Sequence, residues 1–283
     1  MFAVRVAVVL APLLRALSPQ SDLAPAKPAD ADFAQLERGF LDQGIFVDLR
    51  GGFCSIRAEV DIRDDLLEYL LVNHHGAAHE SLFATTILGS HLNTALLALG
   101  AAPGKNARWL RKDPAPTPEE VRAGEPPYVV EPPAGDGFYL YAAWRADGEL
   151  YMYRVEDLVR NLQSGRSMLR HRWVFLGSRM VLPRGEKPEP VFAADLEGNL
   201  VNIAFFEQGN TLATCALPEC LLQSIWLPNA WLLPPRESPI ELVFSREKLS
   251  VLPPAIAQRL PETVVDDPKQ DTRAPQDEES RDR

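Results

Sequence analysis

The sequence predicts an α+β fold, namely a mainly antiparallel β-sheet built from hairpins, with two short helices at about 90–99 and 155–163. Short apolar runs recur between turn signals rich in Gly, Pro, Asn and Asp, a pattern typical of hairpin-connected strands. Strands and helices do not alternate regularly, and the sequence has no Gly-rich phosphate loop. Both observations argue against a parallel nucleotide-binding sheet.

Length and charge restrict the possible classes of protein. A chain of 283 residues with 46% hydrophobic content is long enough to bury a sizeable core, and we expect one domain over residues 33–253. The net charge of −10 argues against a nucleic-acid partner, because binding to the phosphate backbone needs a basic surface.

The two ends of the chain differ from its body. Residues 1–18 combine Arg5 with an apolar run and small residues, which predicts a signal peptide or N-terminal export segment; a buried N-terminal helix is the alternative. The run is too short to span a bilayer, so we expect no transmembrane span in the mature chain. Residues 19–32 are Ala/Pro-rich, as in a linker, and residues 254–283 are predicted to form a disordered acidic tail.

The first strands of the body are predicted as a hairpin about Gly51-Gly52 in IFVDLRGGFCSIRAEVDI. This turn gives one face that is apolar throughout. In that register the facing pairs are Leu49 with Cys54, Val47 with Ile56, and Ile45 with Ala58.

The next stretch, residues 68–104, holds four of the five histidines. In NHHGAAHES, glycine at the first loop position predicts a two-residue type II′ turn at Gly76-Ala77. His74 then faces His79 across two antiparallel strands. The helix at about 90–99 follows, and Gly100 is placed to close it.

The middle of the chain contains a surface excursion and the strongest hairpin signal. Residues 105–133 are dominated by prolines and charges, which predicts a long surface loop. In FYLYAAWRADGELYMYRV, Asp147-Gly148 lies between two aromatic runs and predicts a two-residue turn. The expected facing pairs are Trp144 with Tyr151 and Ala142 with Tyr153.

Four further segments complete the predicted body. VEDLVRNLQSG has helical spacing and Gly165 to close it, which gives the helix at about 155–163. HRWVFLGS and PIELVFSRE are predicted strands. FAADLEGNLVNIAFF is predicted as a hairpin with Gly198 in the left-handed position of a bulged turn.

Three cysteines are too few for a disulfide scaffold, and their spacing matches neither a zinc ribbon nor an iron–sulfur cluster. In an exported protein, Cys215 and Cys220 are close enough in sequence to bridge a short loop, with Cys54 left as a buried thiol.

Several segments, taken together, resemble the YdjY domain family of uncharacterised, mostly bacterial and often exported proteins. The similar segments are LLEYLLVNHHGAAHESLFAT, TALLALGAAPG, VEDLVRNLQSG leading into WVFLGS, ADLEGN and LPNAWLLPPRESPIELVF, in that order over about residues 47–247. The resemblance implies a domain boundary but no activity. A histidine often precedes the Ala-Leu-Leu of the helix in this family, and Asn93 stands near that position here.

Two candidate sites follow from these residues. Imidazoles of a facing pair stand ~4.5–5.5 Å apart at Cβ, so His74 and His79 are candidate ligands of a divalent metal, with His91 as a third. The alternative is that these histidines are solvent-exposed loop residues. Glu80, Trp226 and Trp231 are the candidates for a separate binding surface.

Two hypotheses about function remain. The preferred one is a non-catalytic binding or structural domain of the bacterial cell envelope, exported to the periplasm, the envelope or the medium, with an envelope protein or polymer as its partner. The alternative is a metal-binding protein or metal-dependent enzyme that uses the histidine cluster. No other cofactor is expected.

Overall fold

The computed structural model describes residues 30–184 and 189–263, and every structural statement below refers to these residues. The predicted export segment, the linker before residue 30 and the tail beyond residue 263 lie outside them. None of the helices described is both long and apolar enough to cross a membrane.

The described residues form seventeen strands and five α-helices. The helices are α1 (Asp30–Asp42), α2 (Gly89–Ala98), α3 (Pro118–Arg122), α4 (Ala193–Glu197) and α5 (Pro254–Ala257). The strands are β1 (Ile45–Asp48), β2 (Phe53–Val60), β3 (Tyr69–Asn73), β4 (Ser81–Thr85), β5 (Arg108–Arg111), β6 (Tyr128–Glu131), β7 (Gly137–Ala146), β8 (Glu149–Arg154), β9 (Val159–Asn161), β10 (Trp173–Phe175), β11 (Met180–Val181), β12 (Val191–Phe192), β13 (Asn199–Asn202), β14 (Ala213–Thr214), β15 (Trp226–Pro228), β16 (Pro239–Ser245) and β17 (Glu262–Thr263). Short 3-10 turns lie at Ala78–Glu80, Val155–Leu158, Pro218–Leu221 and Gln223–Ile225.

Eight of the strands close into a mixed barrel in the order β2-β16-β7-β10-β14-β13-β3-β4. The barrel closes where β4 pairs back to β2, with Glu59 opposite Ala84 and Val60 opposite Phe83. The β13–β14 and β3–β4 pairings are parallel and the other six are antiparallel. The fold is therefore α+β in broad terms, but the predicted hairpin-built antiparallel sheet with two short helices is wrong.

Barrel closure is favoured because the strands present apolar side chains to a common interior. On β16, Ile240, Leu242 and Phe244 enter the larger core, whereas Val243 points to the outer face. There α5 covers it, with Ile256 fully buried. Both faces of β16 are thus buried, which explains why its sequence is apolar almost throughout.

The hairpin between β1 and β2 forms, but in a register shifted by two residues from the prediction. Ile45 pairs with Ile56 and Val47 with Cys54, around a loop of residues 49–52. The Asp48 carboxylate accepts a hydrogen bond of 2.6 Å from the Gly51 N–H, which stabilises this longer loop. A shift of two residues leaves the same side chains on the inner face.

The predicted hairpin at Gly76-Ala77 does not form, because β3 and β4 run parallel. Residues 74–80 instead run back along the barrel and pack against the end of α4. Gly76 lies so close to Gly198 that a Cβ on it would stand 2.6 Å from the Gly198 carbonyl oxygen. The Asn73 N–H donates to that same oxygen at 2.6 Å.

Two other local predictions are wrong for a similar reason. Residues 155–158 form a single 3-10 turn rather than a helix to residue 163, because Val159–Asn161 pairs with β15 as strand β9. The segment around Gly198 is helix α4 followed by β13 rather than a hairpin. Gly198 does adopt the left-handed conformation, with φ of 72°, but it does so at the C-terminus of a helix.

The two strongest local signals are confirmed. At the β7–β8 hairpin, Trp144 pairs with Tyr151 and Ala142 with Tyr153. Asp147 and Gly148 have φ of 52° and 75°, as a type I′ turn requires. Helix α2 covers nearly the predicted residues 90–99 and ends before Gly100, whose φ is 79°.

The segments at residues 105–133 and 254–263 are more ordered than their composition suggests. The first forms an arm in which β5 pairs with β6, with α3 between them. The second, assigned by the sequence to the tail, forms α5 and then β17, which pairs with β7.

The outer face under this second segment buries a carboxyl group without a hydrogen-bond partner. Glu241 is 1% exposed, and both of its carboxyl oxygens lack a hydrogen bond. The Nε of Arg259 lies 4.0 Å from Glu241 Oε1. Burial raises the pKa of Glu241, and the nearby Ser55 hydroxyl and the charges of Arg259 and Arg57 offset only part of that effect.

We predict that Glu241→Gln stabilises the protein at pH 8 and has no effect on stability at pH 4. Because the folded-state pKa is raised, the folded protein favours the protonated carboxyl group, and stability is lost as pH rises from about 4 through that pKa. An amide removes this loss, and a gain of about 1 kcal/mol corresponds to a rise in Tm of roughly 2–4 °C. Thermal unfolding across this pH range measures the difference. Glu247→Gln, at an exposed position two residues beyond the opposite end of β16, is the control, and an equal gain at both pH values would contradict the prediction.

Candidate functional site

The structure does not assemble the predicted histidine site. His74 Nδ1 lies 3.8 Å from Glu59 Oε1, and His79 Nε2 lies 3.8 Å from Glu80 Oε1 with its side chain 80% exposed. His91 is half-buried on the first turn of α2. In residues 30–184 and 189–263, no group of three or more His, Cys, Asp or Glu side chains is arranged to hold a metal ion.

The predicted surface of Glu80, Trp226 and Trp231 is not formed as one patch either. Trp226 is fully buried in β15, whereas Trp231 is 92% exposed. The proline-rich sequence around both residues gave no sign of this difference. His75, which the sequence did not distinguish from its neighbours, contacts Asn73 Oδ1 and the Asp195 carbonyl oxygen at 2.8 Å each, and so ties residues 74–80 to α4.

A different group of polar residues gathers around the carboxylate of Glu156, which is fully buried in the 3-10 turn after β8. Its Oε1 accepts hydrogen bonds from Arg154 at 2.5 Å, from the Trp173 indole at 3.1 Å and from the His171 backbone N–H at 3.3 Å. The His171 ring also approaches it, with Nδ1 at 3.7 Å. These donors compensate the cost of burying the charge.

Arg154 and His171 also line a pocket on the outer side of this cluster. The pocket has a volume of about 260 Å³. Its lining residues are Tyr139, Arg154, Arg170, His171, Arg172 and Lys248. We call it the cationic pocket, since four of the six are permanently cationic and none is acidic.

Strand β7 brings these distant residues together, because neighbouring strands pair with it around Tyr139. Tyr141 pairs with Arg154 at the end of β8, and Phe138 pairs with Trp173, which follows the Arg170–Arg172 segment. Tyr139 itself pairs with Ser245, three residues before Lys248. The convergence is therefore a consequence of sheet register.

The ring of Tyr139 serves as a platform for three of the cations. The guanidinium carbons of Arg154 and Arg172 lie 5.1 Å and 5.8 Å from its centroid, and the Lys248 ammonium lies 5.8 Å away. Cation–π attraction of about 0.5–1 kcal/mol at exposed sites, and more where the ring is desolvated, offsets part of the repulsion among them.

Most of the carboxylates near the pocket are already engaged. Asp157 forms a bidentate ion pair with Arg170, in which its Oδ1 accepts from Nε at 2.9 Å and its Oδ2 accepts from Nη2 at 2.7 Å. Asp136 accepts from the Ala102 N–H and lies beside Arg246 and Arg172, and these contacts hold its pKa below the usual range. Arg172 donates to the Gly137 carbonyl oxygen at 2.9 Å. Lys248 has no carboxylate partner among the described residues.

Several buried polar atoms at the pocket lack a hydrogen-bond partner. They are Arg154 Nε, His171 Nε2 and Glu156 Oε2, on side chains that are 9% exposed or less. Buried polar groups are nearly always paired with protein or water, so the polar cluster behind the pocket wall is incompletely satisfied by the residues around it.

Two of the buried cysteines are those that the sequence suggested as a bridge. Cys215 and Cys220 are free and fully buried. Burial raises the pKa of the Cys215 thiol, but Cys220 and His171 outweigh it and lower that pKa overall. Burial lowers the pKa of His171, but the neighbouring Cys215 and Glu156 outweigh it and raise that pKa overall.

The sequence analysis missed the cationic pocket because its residues come from four separate segments. One local signal was present: Arg170-His171-Arg172 is a dense basic run in a chain whose net charge is −10. Nothing local in the sequence shows that Tyr139, Arg154 and Lys248 meet that run.

Comparisons with protein-family models, with curated proteins and with solved structures find no match. The resemblance to the YdjY domain family therefore stays a prediction.

We predict that Arg154→Met destabilises the protein by about 3–5 kcal/mol, because it leaves the buried Glu156 carboxylate without its charged donor. The double variant Arg154→Met/Glu156→Gln should be more stable than this single variant. An uncharged amide at position 156 keeps an acceptor for the indole of Trp173 and has no unpaired charge. Denaturant unfolding of the three proteins measures both effects.

The matched control is Arg122→Met, which removes a surface ion pair with Glu119 whose side chains are 73% and 76% exposed. It should cost under ~0.5 kcal/mol. If the double variant were as unstable as Arg154→Met alone, the buried charge would not be the cause of the destabilisation.

Proposed function

We propose that this protein is a binding domain for an anionic ligand that carries a phosphate, sulfate or carboxylate group, held in the cationic pocket. The observation that carries the proposal is that four cations and no acidic side chain line one pocket in a chain of net charge −10. An acidic protein repels anions over most of its surface. A basic cleft within it focuses the field and selects for an anionic group at that position.

The side chains of the pocket suit an oxyanion. Guanidinium groups present paired N–H donors that match the oxygens of a phosphate or carboxylate, and Arg154 and Arg172 are held near the Tyr139 ring in fixed positions. Lys248 adds a mobile point charge at the exposed rim. A volume of about 260 Å³ fits a small anion or the charged end of a larger molecule.

The sequence led us to expect a binding domain, and the cationic pocket indicates the chemical class of its ligand. An envelope polymer or a small metabolite can both carry such a group, and the export of the protein remains a prediction that the pocket does not address. Binding is favoured over catalysis because the pocket lining has no Ser, Cys, Asp or Glu side chain, and its imidazole, that of His171, is held by Leu169 and the Glu156 cluster.

We predict saturable binding of phosphate to the purified full chain, measured by calorimetry and thermal shift at constant ionic strength. If Kd is ~1 mM, 10 mM phosphate stabilises the folded state by about 1.4 kcal/mol. Arg172→Ala and Lys248→Ala should each weaken binding about tenfold or more, since each removes a charged donor. Comparison of phosphate with sulfate and acetate identifies the group, and comparison with a phosphorylated polymer distinguishes a free anion from a polymer-borne one.

The control variant is Arg111→Ala, which removes an exposed arginine from β5 in the arm, outside the pocket. It should bind phosphate as the unmodified protein does. Equal effects of phosphate, sulfate, acetate and chloride, or equal loss in Arg111→Ala and Arg172→Ala, would show general ionic screening and overturn the proposal.

A further inference from the structure

A second pocket differs from the cationic pocket in chemistry and shares no lining residue with it. It has a volume of about 220 Å³, and none of the residues that line it is Lys, Arg or His. Its walls include the amides of Asn106, Asn199, Gln208 and Asn210 and the rings of Tyr69 and Phe206. We call it the amide pocket.

One wall of the amide pocket is the loop at residues 206–209, which Asn106 holds in place. The Asn106 Nδ2 donates to the Phe206 carbonyl oxygen at 2.6 Å and to the Glu207 carbonyl oxygen at 3.2 Å. Gly209 has a φ of 62°, which lets the chain turn back at the end of the loop. Contacts within the protein therefore define the shape of this wall.

The same kind of contact orients the amides and leaves one polar group of each for a ligand. The Asn199 Oδ1 accepts from the Ala77 N–H at 3.0 Å, which leaves the Asn199 Nδ2 as a donor. Asn106 uses its nitrogen on the loop, which leaves its Oδ1 as an acceptor. Gln208 is exposed, and its side chain has no hydrogen-bond partner among the described residues, so it offers both.

The charges around the amide pocket disfavour an anion. Burial, followed by the charges of Glu68, Glu197 and Glu80, raises the pKa of Tyr69 to about 12, so the field at this hydroxyl is negative. Glu197 is the one carboxylate in the lining that the structure describes; it is exposed, and its Oε1 accepts from the Asn210 Nδ2 at 2.5 Å. A cation would gain little from one exposed and already engaged carboxylate.

The two aromatic rings add an apolar surface. Tyr69 and Phe206 stack with their centroids 5.2 Å apart and 9° between their planes. Tyr69 is 9% exposed and Phe206 is half-buried, so the first ring supports the second, and part of the Phe206 ring is left to the pocket. The face of an aromatic ring is apolar and carries partial negative charge, which suits contact with C–H groups.

We propose that the amide pocket binds one ring of an uncharged carbohydrate, with the C–H groups of the sugar against Phe206 and its hydroxyls bonded to Asn106, Asn199 and Gln208. A sugar hydroxyl is both a donor and an acceptor, so it matches a wall that presents both kinds of group. The volume of about 220 Å³ lies below the range of about 300–1,000 Å³ that is usual for larger ligands, and so limits the occupant to a single ring. This inference is independent of the anion-binding proposal, because the two pockets have no residue in common.

The test titrates the purified full chain separately with glucose, galactose, mannose and N-acetylglucosamine. Calorimetry and saturation-transfer NMR both follow the binding, and the second method detects weak complexes. We expect saturable binding of at least one of these sugars with a Kd on the order of 1 mM. Gln208→Ala removes a hydrogen-bonding group and Phe206→Leu removes the ring, and each should raise that Kd about three- to tenfold.

The matched control is Gln258→Ala, which removes an exposed glutamine just after α5, outside the amide pocket. It should bind the sugar as the unmodified protein does. Phe206 packs against Tyr69, so circular dichroism and Tm check that its variant is folded; Gln208 is exposed, and its variant tests the proposal without this complication.

Three results would overturn the proposal. The first is that none of the four sugars saturates the protein. The second is that Gln208→Ala and Gln258→Ala have equal effects, which would place the sugar elsewhere. The third is that choline or spermidine binds, the sugars do not, and Gln208→Ala weakens the binding of that cation, which would identify a site for cations.

Discussion

The end of the barrel that carries the cationic pocket depends on the hydrogen bonds of one buried carboxylate, that of Glu156. A fully buried charge is tolerated only when donors surround it. Here the donors come from Arg154 at the end of β8 and from His171 and Trp173 at the start of β10. One side chain thus fixes two segments that are not neighbours in sequence. It holds Arg154 and His171 at the wall of the cationic pocket.

The barrel supplies the frame for this cluster through β7, which pairs with β16, β10, β8 and β17 along its ten residues. Side chains alternate along the strand, so Phe138 and Leu140 enter the larger core while Tyr139 and Tyr141 face outward. Tyr139 therefore lies outside the barrel at the point where three strand ends meet. The same pairing that closes the core places the basic residues around this ring.

The sequence analysis was correct for those elements whose conformation depends on one or two neighbouring residues. The Asp147-Gly148 turn and the glycine that ends α2 are correct because each depends on the backbone freedom of one or two residues. The turn at Gly76-Ala77 looked equally good, yet the contact of Gly76 with Gly198 decides its path. Apolar periodicity at 155–163 did not distinguish a helix from a turn and a strand, because the pairing partner β15 lies more than sixty residues away. The cationic pocket escaped the sequence analysis for the same reason: the sequence placed the histidines of one stretch together, whereas the structure assembles the pocket from four segments.

Stability alone gives no reason for the arrangement of the pocket. Three cations near one aromatic ring repel each other, and the cation–π energy of an exposed or half-buried ring is of the same order as that repulsion in water. The guanidinium of Arg154 also has an unpaired buried Nε. Apolar side chains at both positions 154 and 156 would avoid the desolvation cost of the ion pair altogether. Natural proteins break the local rules of folding mainly at functional sites. Here the unfavourable features, namely clustered cations and unpaired buried polar atoms, lie together at the Tyr139 ring, the Glu156 carboxylate and the cationic pocket. A bound anion would offset the mutual repulsion of these cations, in agreement with the proposed anionic ligand.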